Sequence, residues 1–192
     1  MTEAMIRSFI AVDIKEEIKR RILSKIQDIL KSRDPSLKLV QPENIHITLH
    51  FLGEINSVMI NQISKEIDHI SFNPFLVGIR GIGVFPSLRR IRVVWAGIKK
   101  GALELETLFY QIEKRIVKLG FSSNQKKYSP HLTIARMKAR RTNDRLIQSI
   151  KEFEDYDFGF TKVDSLELKR SVLTPRGPIY STLHKVSAKL ES

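Results

Sequence analysis

Cysteine is absent from the 192-residue sequence, and glycine and proline are scarce. Without cysteine the chain has no disulfide framework, no thiolate zinc site and no cysteine nucleophile. Nine glycines and seven prolines are too few for a low-complexity chain, while 42% hydrophobic and 28% charged residues are usual for a globular protein. We expect a single domain over residues 1–192, large enough to be stable without a disulfide or a structural metal.

Long hydrophobic runs are also absent, since no stretch approaches the roughly eighteen apolar residues that a membrane helix requires. The segment Met1–Arg7 lacks the basic start and the apolar run of a signal peptide. The sequence therefore predicts a cytoplasmic protein without a membrane span.

Acidic residues are in the minority, because 33 Lys and Arg residues face 21 Asp and Glu residues and give a formal net charge of +12. Such an excess favours a polyanionic partner. A solubility surface, or the composition bias of a heat-loving organism, would explain the same charge. Charge alone does not separate RNA from DNA or lipid.

Strand-like and helix-like segments alternate along the chain without a linker rich in Pro, Gly or Ser. Isoleucines three or four residues apart predict an amphipathic helix with Asp13 as its N-cap and its end before Pro35. A second predicted helix follows a cap at Asn56 or Ser57, and a third ends at Gly120. The helices are spaced too irregularly for a βαβ series, so we expect an α+β fold with antiparallel sheets.

A His-x-Thr pattern occurs twice, at His46 and Thr48 and again at His131 and Thr133, and the two copies are 85 residues apart. Residues two apart share a face of a strand, so each copy presents an imidazole and a hydroxyl on one face. The same alternation predicts that Phe51 points to the core. Two such strands, one from each half of the chain, would bring two imidazoles and two hydroxyls together across a cleft.

This set of side chains suits phosphodiester chemistry. One histidine can take a proton from the nucleophile while the other protonates the leaving oxygen, and threonine hydroxyls can donate to phosphate oxygens. A structural histidine is the alternative at each position. His50, on the same ideal strand face as His46, also allows a zinc pair with His131. Four residues of strand separate the first two Cα atoms by about 13 Å, too far for two direct ligands without a sharp bend.

The residues around both copies resemble those of a known family. The resemblance covers essentially the whole chain, in the segments 7–12 (RSFIAV), 46–53 (HITLHFLG), 85–86 (FP), 92–97 (RVVWAG), 128–136 (YSPHLTIAR) and 175–180 (PRGPIY). In this order the segments are similar to the signatures of the two-histidine (2H) phosphoesterases. More narrowly, they resemble the RNA 2′,3′-cyclic phosphodiesterases, also called 2′-5′ RNA ligases.

The resemblance implies a bilobal α+β fold, in which two pseudo-symmetric lobes with antiparallel sheets face a central cleft and carry helices on the outside. It implies hydrolysis of RNA 2′,3′-cyclic phosphates to 2′-phosphomonoesters, with reverse joining of tRNA halves, and no metal or other cofactor. By motif position His46 is the general acid on the departing 3′ oxygen and His131 is the base that activates water. The two motifs are chemically alike, so the sequence does not distinguish these roles. We expect a monomer whose partner is RNA with a cyclic phosphate end.

Residues that flank the second motif are candidate substrate contacts, in addition to Thr48 and Thr133. In an ideal strand Arg136 points away from Thr133, so contact with a phosphate needs a bulge or the strand end, and a solvated surface role is the alternative. Tyr128 is predicted to stack on a terminal base, with packing as the alternative. Further basic residues form either contacts to the RNA backbone or a solvated surface: Arg89, Arg90, Arg92, Lys126 and Lys127.

Two other functions compete with this interpretation. A non-catalytic RNA- or nucleotide-binding module of the same fold would keep its binding after loss of both histidines. A metal-dependent phosphohydrolase would normally show a cluster of Asp and His residues, whereas the acidic residues of this chain fall mostly on predicted helix faces.

Overall fold

The computed structural model describes residues 4–123, 128–137, 144–175 and 177–189. Strands and helices alternate irregularly, in agreement with the predicted α+β class. The strands are β1 Ile6–Asp13, β2 Leu37–Leu39, β3 His46–Ile55, β4 Phe75–Ser87, β5 Arg90–Lys100, β6 His131–Met137, β7 Asp157–Val163, β8 Ser165–Thr174 and β9 Gly177–Ser187. The helices are α1 Glu16–Ile22, α2 Asp28–Arg33, α3 Ser57–Asp68, α4 Ala102–Ile116 and α5 Asp144–Glu152.

Shorter helical turns complete the described structure. A π-helical turn, Leu23–Gln27, joins α1 to α2, and 3-10 turns cover Pro42–Asn44 and Val117–Leu119. No described helix is both long and apolar enough to cross a bilayer.

All strands of the described residues join one antiparallel nine-stranded sheet in the order β7-β4-β5-β6-β3-β1-β8-β9, with β2 paired to β6. Read outward from the centre, one half is β3-β1-β8-β9 and the other is β6-β5-β4-β7. The expected antiparallel sheets with outer helices are confirmed. The two sheets are continuous with one another, because β3 and β6 pair at the single register position Ile47 and Leu132 within the described residues.

The helices cover one face of the sheet and form the core with it. Helices α3 and α4 contact the half that contains β3 and β9, and α4 also contacts β5. Helices α1 and α5 contact the half that contains β4 and β7, while α2 contacts α5 and strand β2. Fully buried isoleucines from both layers meet in this core, among them Ile22, Ile47 and Ile134. Apolar burial on this scale is the main stabilising term of such a fold. The opposite face, which we call the cleft face, carries the two His-x-Thr elements.

The predicted helix ends are mostly confirmed. The Asn56 side chain accepts a hydrogen bond from the Met59 amide at 2.8 Å, as an N-cap should, and Gly120 adopts the left-handed conformation after the 3-10 turn. The predicted cap at Asp13 is wrong. Strand pairing extends through Asp13, which lies opposite His46, so helix α1 begins three residues later.

Candidate active site

The two His-x-Thr elements lie side by side at the centre of the sheet. Strands β3 and β6 pair through Ile47 and Leu132, which are the middle residues of the two elements. The antiparallel register through this pair sets each histidine beside the threonine of the other element. A local two-fold axis between Ile47 and Leu132 therefore relates the two halves of the site.

Both histidines bind a backbone carbonyl two residues upstream. His46 Nδ1 lies 2.9 Å from the Asn44 carbonyl oxygen, and its Nε2 lies 3.1 Å from Thr48 Oγ1. His131 Nδ1 lies 2.8 Å from the Ser129 carbonyl oxygen. A carbonyl oxygen only accepts, so Nδ1 carries the proton in each neutral ring. Both imidazoles consequently present Nε2 for proton transfer.

Aromatic rings enclose His46. Phe9 stacks on the imidazole with ring centroids 4.9 Å apart, and Tyr180 meets it edge-on at 5.3 Å. Burial lowers the pKa of His46 to about 4, against smaller upward effects of the Asn44 carbonyl and the Asp13 carboxylate. The free site therefore favours a neutral imidazole at this position.

The surroundings of His131 repeat this arrangement in the other half. Phe85 meets the imidazole edge-on at 5.0 Å, and the Trp95 ring lies 6.3 Å away. A Cβ atom at Gly83 would collide with the Trp95 ring, so glycine is required for the indole to lie against β4. Burial lowers the pKa of His131, and the positive charge of Arg136 lowers it further.

A β-bulge in β3 reverses the expected directions of two side chains. The register with β1 skips Leu49, which is the extra residue. His50 is 8% exposed on the core face, while Phe51 is 68% exposed and lies on the cleft face near Phe9. The expectations that Phe51 points to the core and that His50 shares a face with His46 are wrong, because the bulge shifts the alternation by one residue.

The same shift bears on the alternative zinc site. His50 stacks on Phe109 of α4 on the core side, so it faces away from His46 and His131. Among the residues that the structure describes, no group of three or more His, Cys, Asp or Glu side chains could hold a metal ion.

A matching bulge in β6 turns Arg136 onto the cleft face. The register with β5 skips Ile134, so Arg136 shares a face with Thr133. Burial lowers the pKa of the His131 imidazole and raises the pKa of the Tyr180 hydroxyl. The positive charge of Arg136 lowers each of these two pKa values, so its guanidinium lies close enough to both rings to act on them electrostatically. Within the described part of the chain, Arg136 has no carboxylate at ion-pair distance.

Tyr128 links the two elements from behind the site. Its hydroxyl donates to the Thr48 carbonyl oxygen at 3.0 Å, and its ring stacks on Phe109 with centroids 4.5 Å apart. Burial raises the pKa of its hydroxyl. These contacts favour the packing alternative for Tyr128 over stacking on a base. Because Tyr128 lies three residues before His131, its hydrogen bond connects one motif to the backbone of the other.

An ion network anchors the end of β1 beside His46. Lys169 Nζ lies 2.9 Å from both Asp13 Oδ2 and Glu167 Oε2, and the Thr182 hydroxyl donates to Glu167 at 2.6 Å. Burial lowers the pKa of Lys169, yet the hydrogen bonds to the two carboxylates outweigh this effect and raise the pKa overall. The network was not expected, because its members come from distant parts of the sequence and form no linear motif.

Three of the remaining basic candidates lie at or just after the turn between β4 and β5. Arg89 and Arg90 are exposed at the turn between β4 and β5, and Arg92 follows them in β5. Lys126 and Lys127 lie outside the described residues.

The His-x-Thr pattern does not reveal the aromatic residues around the histidines. All four fall in segments that carry the family resemblance, which was the available signal: Phe9, Phe85, Trp95 and Tyr180.

Comparison with known proteins supports the same grouping. The model of the LigT-like phosphoesterase family matches residues 12–95 and 98–180. An RNA 2′,3′-cyclic phosphodiesterase of Methanothermobacter thermautotrophicus is 39% identical over 180 residues, which cover 93% of this chain and 96% of that protein. The protein of the same name from Aeropyrum pernix is 37% identical and covers 86% of this chain and 94% of its own length.

Solved structures share the fold. E. coli LigT complexed with 3′-AMP has a TM-score of 0.80 at 21% identity, over 97% of this chain and 100% of that one. A Thermus thermophilus structure has a TM-score of 0.75 at 27% identity, over 94% and 97% of the two chains. With the family model and these relatives spanning most of its length, the chain belongs to the LigT-like phosphoesterase family.

Proposed function

We propose that this protein is an RNA 2′,3′-cyclic phosphodiesterase, which opens a terminal cyclic phosphate to leave a 2′-phosphomonoester. The observation that carries the proposal is the pair of His-x-Thr elements around the Ile47–Leu132 axis. Nδ1 of each histidine is bound to a backbone carbonyl, which leaves Nε2 as the nitrogen for proton transfer, and Nε2 of His46 lies beside the Thr48 hydroxyl. The relatives named above, at 37–39% identity over most of the chain, carry this activity in their names.

The reaction divides between the two histidines. His131 Nε2 takes a proton from water as the water oxygen forms its bond to phosphorus. His46 Nε2 gives a proton to the 3′ oxygen as the bond between phosphorus and that oxygen breaks. The two-fold relation of the elements suits this division, because an in-line displacement needs its base and its acid on opposite sides of the phosphorus.

The threonines and Arg136 bind the phosphate in this scheme. The hydroxyls of Thr48 and Thr133 lie on the cleft face beside the imidazoles, where they can donate to the two non-bridging oxygens. Arg136 adds a positive charge on the same face, which stabilises negative charge that develops on those oxygens.

Substrate binding also supplies the protonation state that the acid needs. Burial holds the pKa of His46 at about 4 in the free protein, so the imidazole is neutral there near pH 7. A bound phosphate anion raises the pKa of a neighbouring histidine, because opposite charge favours the protonated form. Protonation of the acid is therefore coupled to the arrival of the substrate.

The terminal base has a platform in Phe51 rather than in Tyr128. The Phe51 ring is exposed on the cleft face, with its centroid 6.3 Å from that of Phe9. Stacking of an unpaired base on an exposed aromatic ring is the usual way to hold an RNA end. The Tyr128 ring already stacks on Phe109 and its hydroxyl donates to the Thr48 carbonyl oxygen, so Tyr128 supports Thr48 and does not bind the base.

The same site could also join two RNA ends through a 2′-5′ linkage. If an RNA 5′-hydroxyl replaces water, its oxygen attacks the cyclic phosphate, the 3′ oxygen leaves, and a 2′-5′ linkage results. We propose tRNA halves as RNA ends that this reaction would join. We also propose that the protein is a monomer and acts in the cytoplasm.

The test is an assay of the purified protein on an RNA that ends in a 2′,3′-cyclic phosphate, with and without EDTA. The expected product is the 2′-phosphomonoester, with an undiminished rate in the chelator. RNA binding without turnover would identify a binding module. Loss of activity on chelation with recovery on zinc addition would identify a metal-dependent hydrolase.

A further inference from the structure

A second cation lies next to Arg136 on the cleft face. Strand β2 pairs with β6 so that Lys38 lies opposite Arg136, between the pairs Leu37 with Met137 and Leu39 with Ala135. Directly opposed residues of an antiparallel pair point to the same face, with Cβ atoms about 4.5–5.5 Å apart. The burial pattern agrees, because Lys38 and Arg136 are both exposed while Leu37 and Met137 are both buried.

The two cations face each other with no compensating carboxylate in the described part of the chain. Among the residues that the structure describes, neither Lys38 nor Arg136 has a carboxylate at ion-pair distance. Like charges directly opposite each other destabilise a sheet. An arrangement of this kind is suited to an anion that binds between or along the two side chains.

The position of Lys38 indicates which anion. Along β6 the cleft face presents His131, Thr133 and then Arg136, so the strand leads away from the reacting centre. Lys38 lies one strand further out, on the side of β6 that is opposite to β5. A chain that places its terminal phosphate at the histidines and continues past Arg136 would bring its next phosphate to Lys38.

We propose that Lys38 forms, beside Arg136, a subsite for the internucleotide phosphate that precedes the terminal nucleotide. This inference rests on the proposed cyclic phosphodiesterase function. It assigns to β2 the discrimination between an RNA chain, which has such a phosphate, and a cyclic mononucleotide, which lacks it. It also gives the direction in which the RNA leaves the site, towards β2 and away from β5, β4 and β7.

The chain offers a matched control in Lys162. Like Lys38, this residue is an exposed lysine within a strand, and its neighbours Thr161 and Val163 are buried. Strand β7 lies at the edge of the sheet, three strands from β6 on the side of β5. Lys38→Gln and Lys162→Gln remove the same charge from opposite sides of β6. They therefore separate a local contact from the general effect of a lower net charge.

The experiment compares a trinucleotide that ends in a 2′,3′-cyclic phosphate with the cyclic mononucleotide of the same terminal base. In K38Q the ratio of kcat/KM for the trinucleotide to that for the mononucleotide should fall about fivefold, as expected for one exposed phosphate contact, and K38R should restore it. The salt dependence of trinucleotide binding should weaken by about 0.7 in log–log slope. K162Q should change neither quantity.

The possible results distinguish failure of the Lys38 subsite from failure of the proposed cyclic phosphodiesterase function. A wild-type protein that turns over neither substrate would overturn the proposed function, and the subsite with it. Turnover of both substrates with an unchanged ratio in K38Q, or an equal fall in K162Q, would overturn the subsite alone. The melting temperature of K38Q should be equal to or above that of the wild type, because the substitution removes a repulsion.

Discussion

Gln27 is predicted to hold the bulge that turns Arg136 into the cleft. The side chain belongs to the π-helical turn between α1 and α2 and is 2% exposed. Its Nε2 donates to the Val40 carbonyl oxygen at 2.7 Å and to the Ile134 carbonyl oxygen at 3.0 Å. Ile134 is the extra residue of the β6 bulge, so one buried amide fixes the position at which the strand alternation changes.

The Gln27→Met variant keeps the length of the side chain and removes both hydrogen bonds. The Ile134 carbonyl still accepts from the Val40 amide at 2.9 Å, so the larger loss falls on the Val40 carbonyl. A buried acceptor that loses its donor costs about 1–3 kcal/mol. At roughly 2–4 °C per kcal/mol for a domain of this size, the melting temperature should fall by about 2–12 °C. The rate on a cyclic phosphate should fall as well, because Arg136 no longer has a fixed direction.

The assays are thermal unfolding and kcat/KM on the cyclic mononucleotide. Gln148→Met, at an exposed position of α5, is the control and should change stability by less than about 0.5 kcal/mol. If Gln27→Met has the melting temperature and the kcat/KM of the wild type, the bulge does not depend on Gln27.

Three further predictions follow from the site. Tyr128→Phe should lose about 1 kcal/mol of stability and lower kcat with little change in KM, since the hydroxyl supports Thr48 and does not touch the base; a change confined to KM in steady-state kinetics would instead favour base stacking. Phe51→Ala should raise KM without an equal fall in kcat, and Phe51→Trp should preserve binding in the same kinetics. Burial depresses the pKa of His46 from 6.5 to about 4. The free energy of unfolding should therefore be unaffected by this histidine above pH 6.5 and should fall by about 3 kcal/mol as pH falls to about 4, because the unfolded chain binds the proton more readily. Unfolding of His46→Asn at a series of pH values should lack this part of the decline.

The sequence was sufficient to predict the fold class and the two central strands. Apolar periodicity located the helices, and the repeated His-x-Thr pattern located the strands that meet at Ile47 and Leu132. Strict alternation failed beyond Thr48 and Thr133, because each strand contains a bulge whose extra residue is an ordinary aliphatic, Leu49 or Ile134. Nothing in the local composition distinguishes such a residue from one that alternates normally.

Contacts between segments that are distant in the chain could not be predicted from the sequence either. In the sequence, Gln27 looks like an ordinary polar position of an amphipathic helix. Its role in holding the bulge depends on the Ile134 carbonyl, which is more than 100 residues away. Asp13 reads as a helix cap, but pairing with β3 and the ion pair with Lys169 keep it in the strand. Local signals of helix and strand formation do not contain such tertiary partners.

If His46 and His131 form the general acid and base, their alanine variants should be slow in single-turnover hydrolysis of an RNA with a 2′,3′-cyclic phosphate. Each single variant should lose about 10²–10⁴ in rate while it remains folded and binds the RNA. The double variant should be little slower than either single, because the two groups act as one unit. A rate near that of the wild type in either single variant would contradict these roles of His46 and His131.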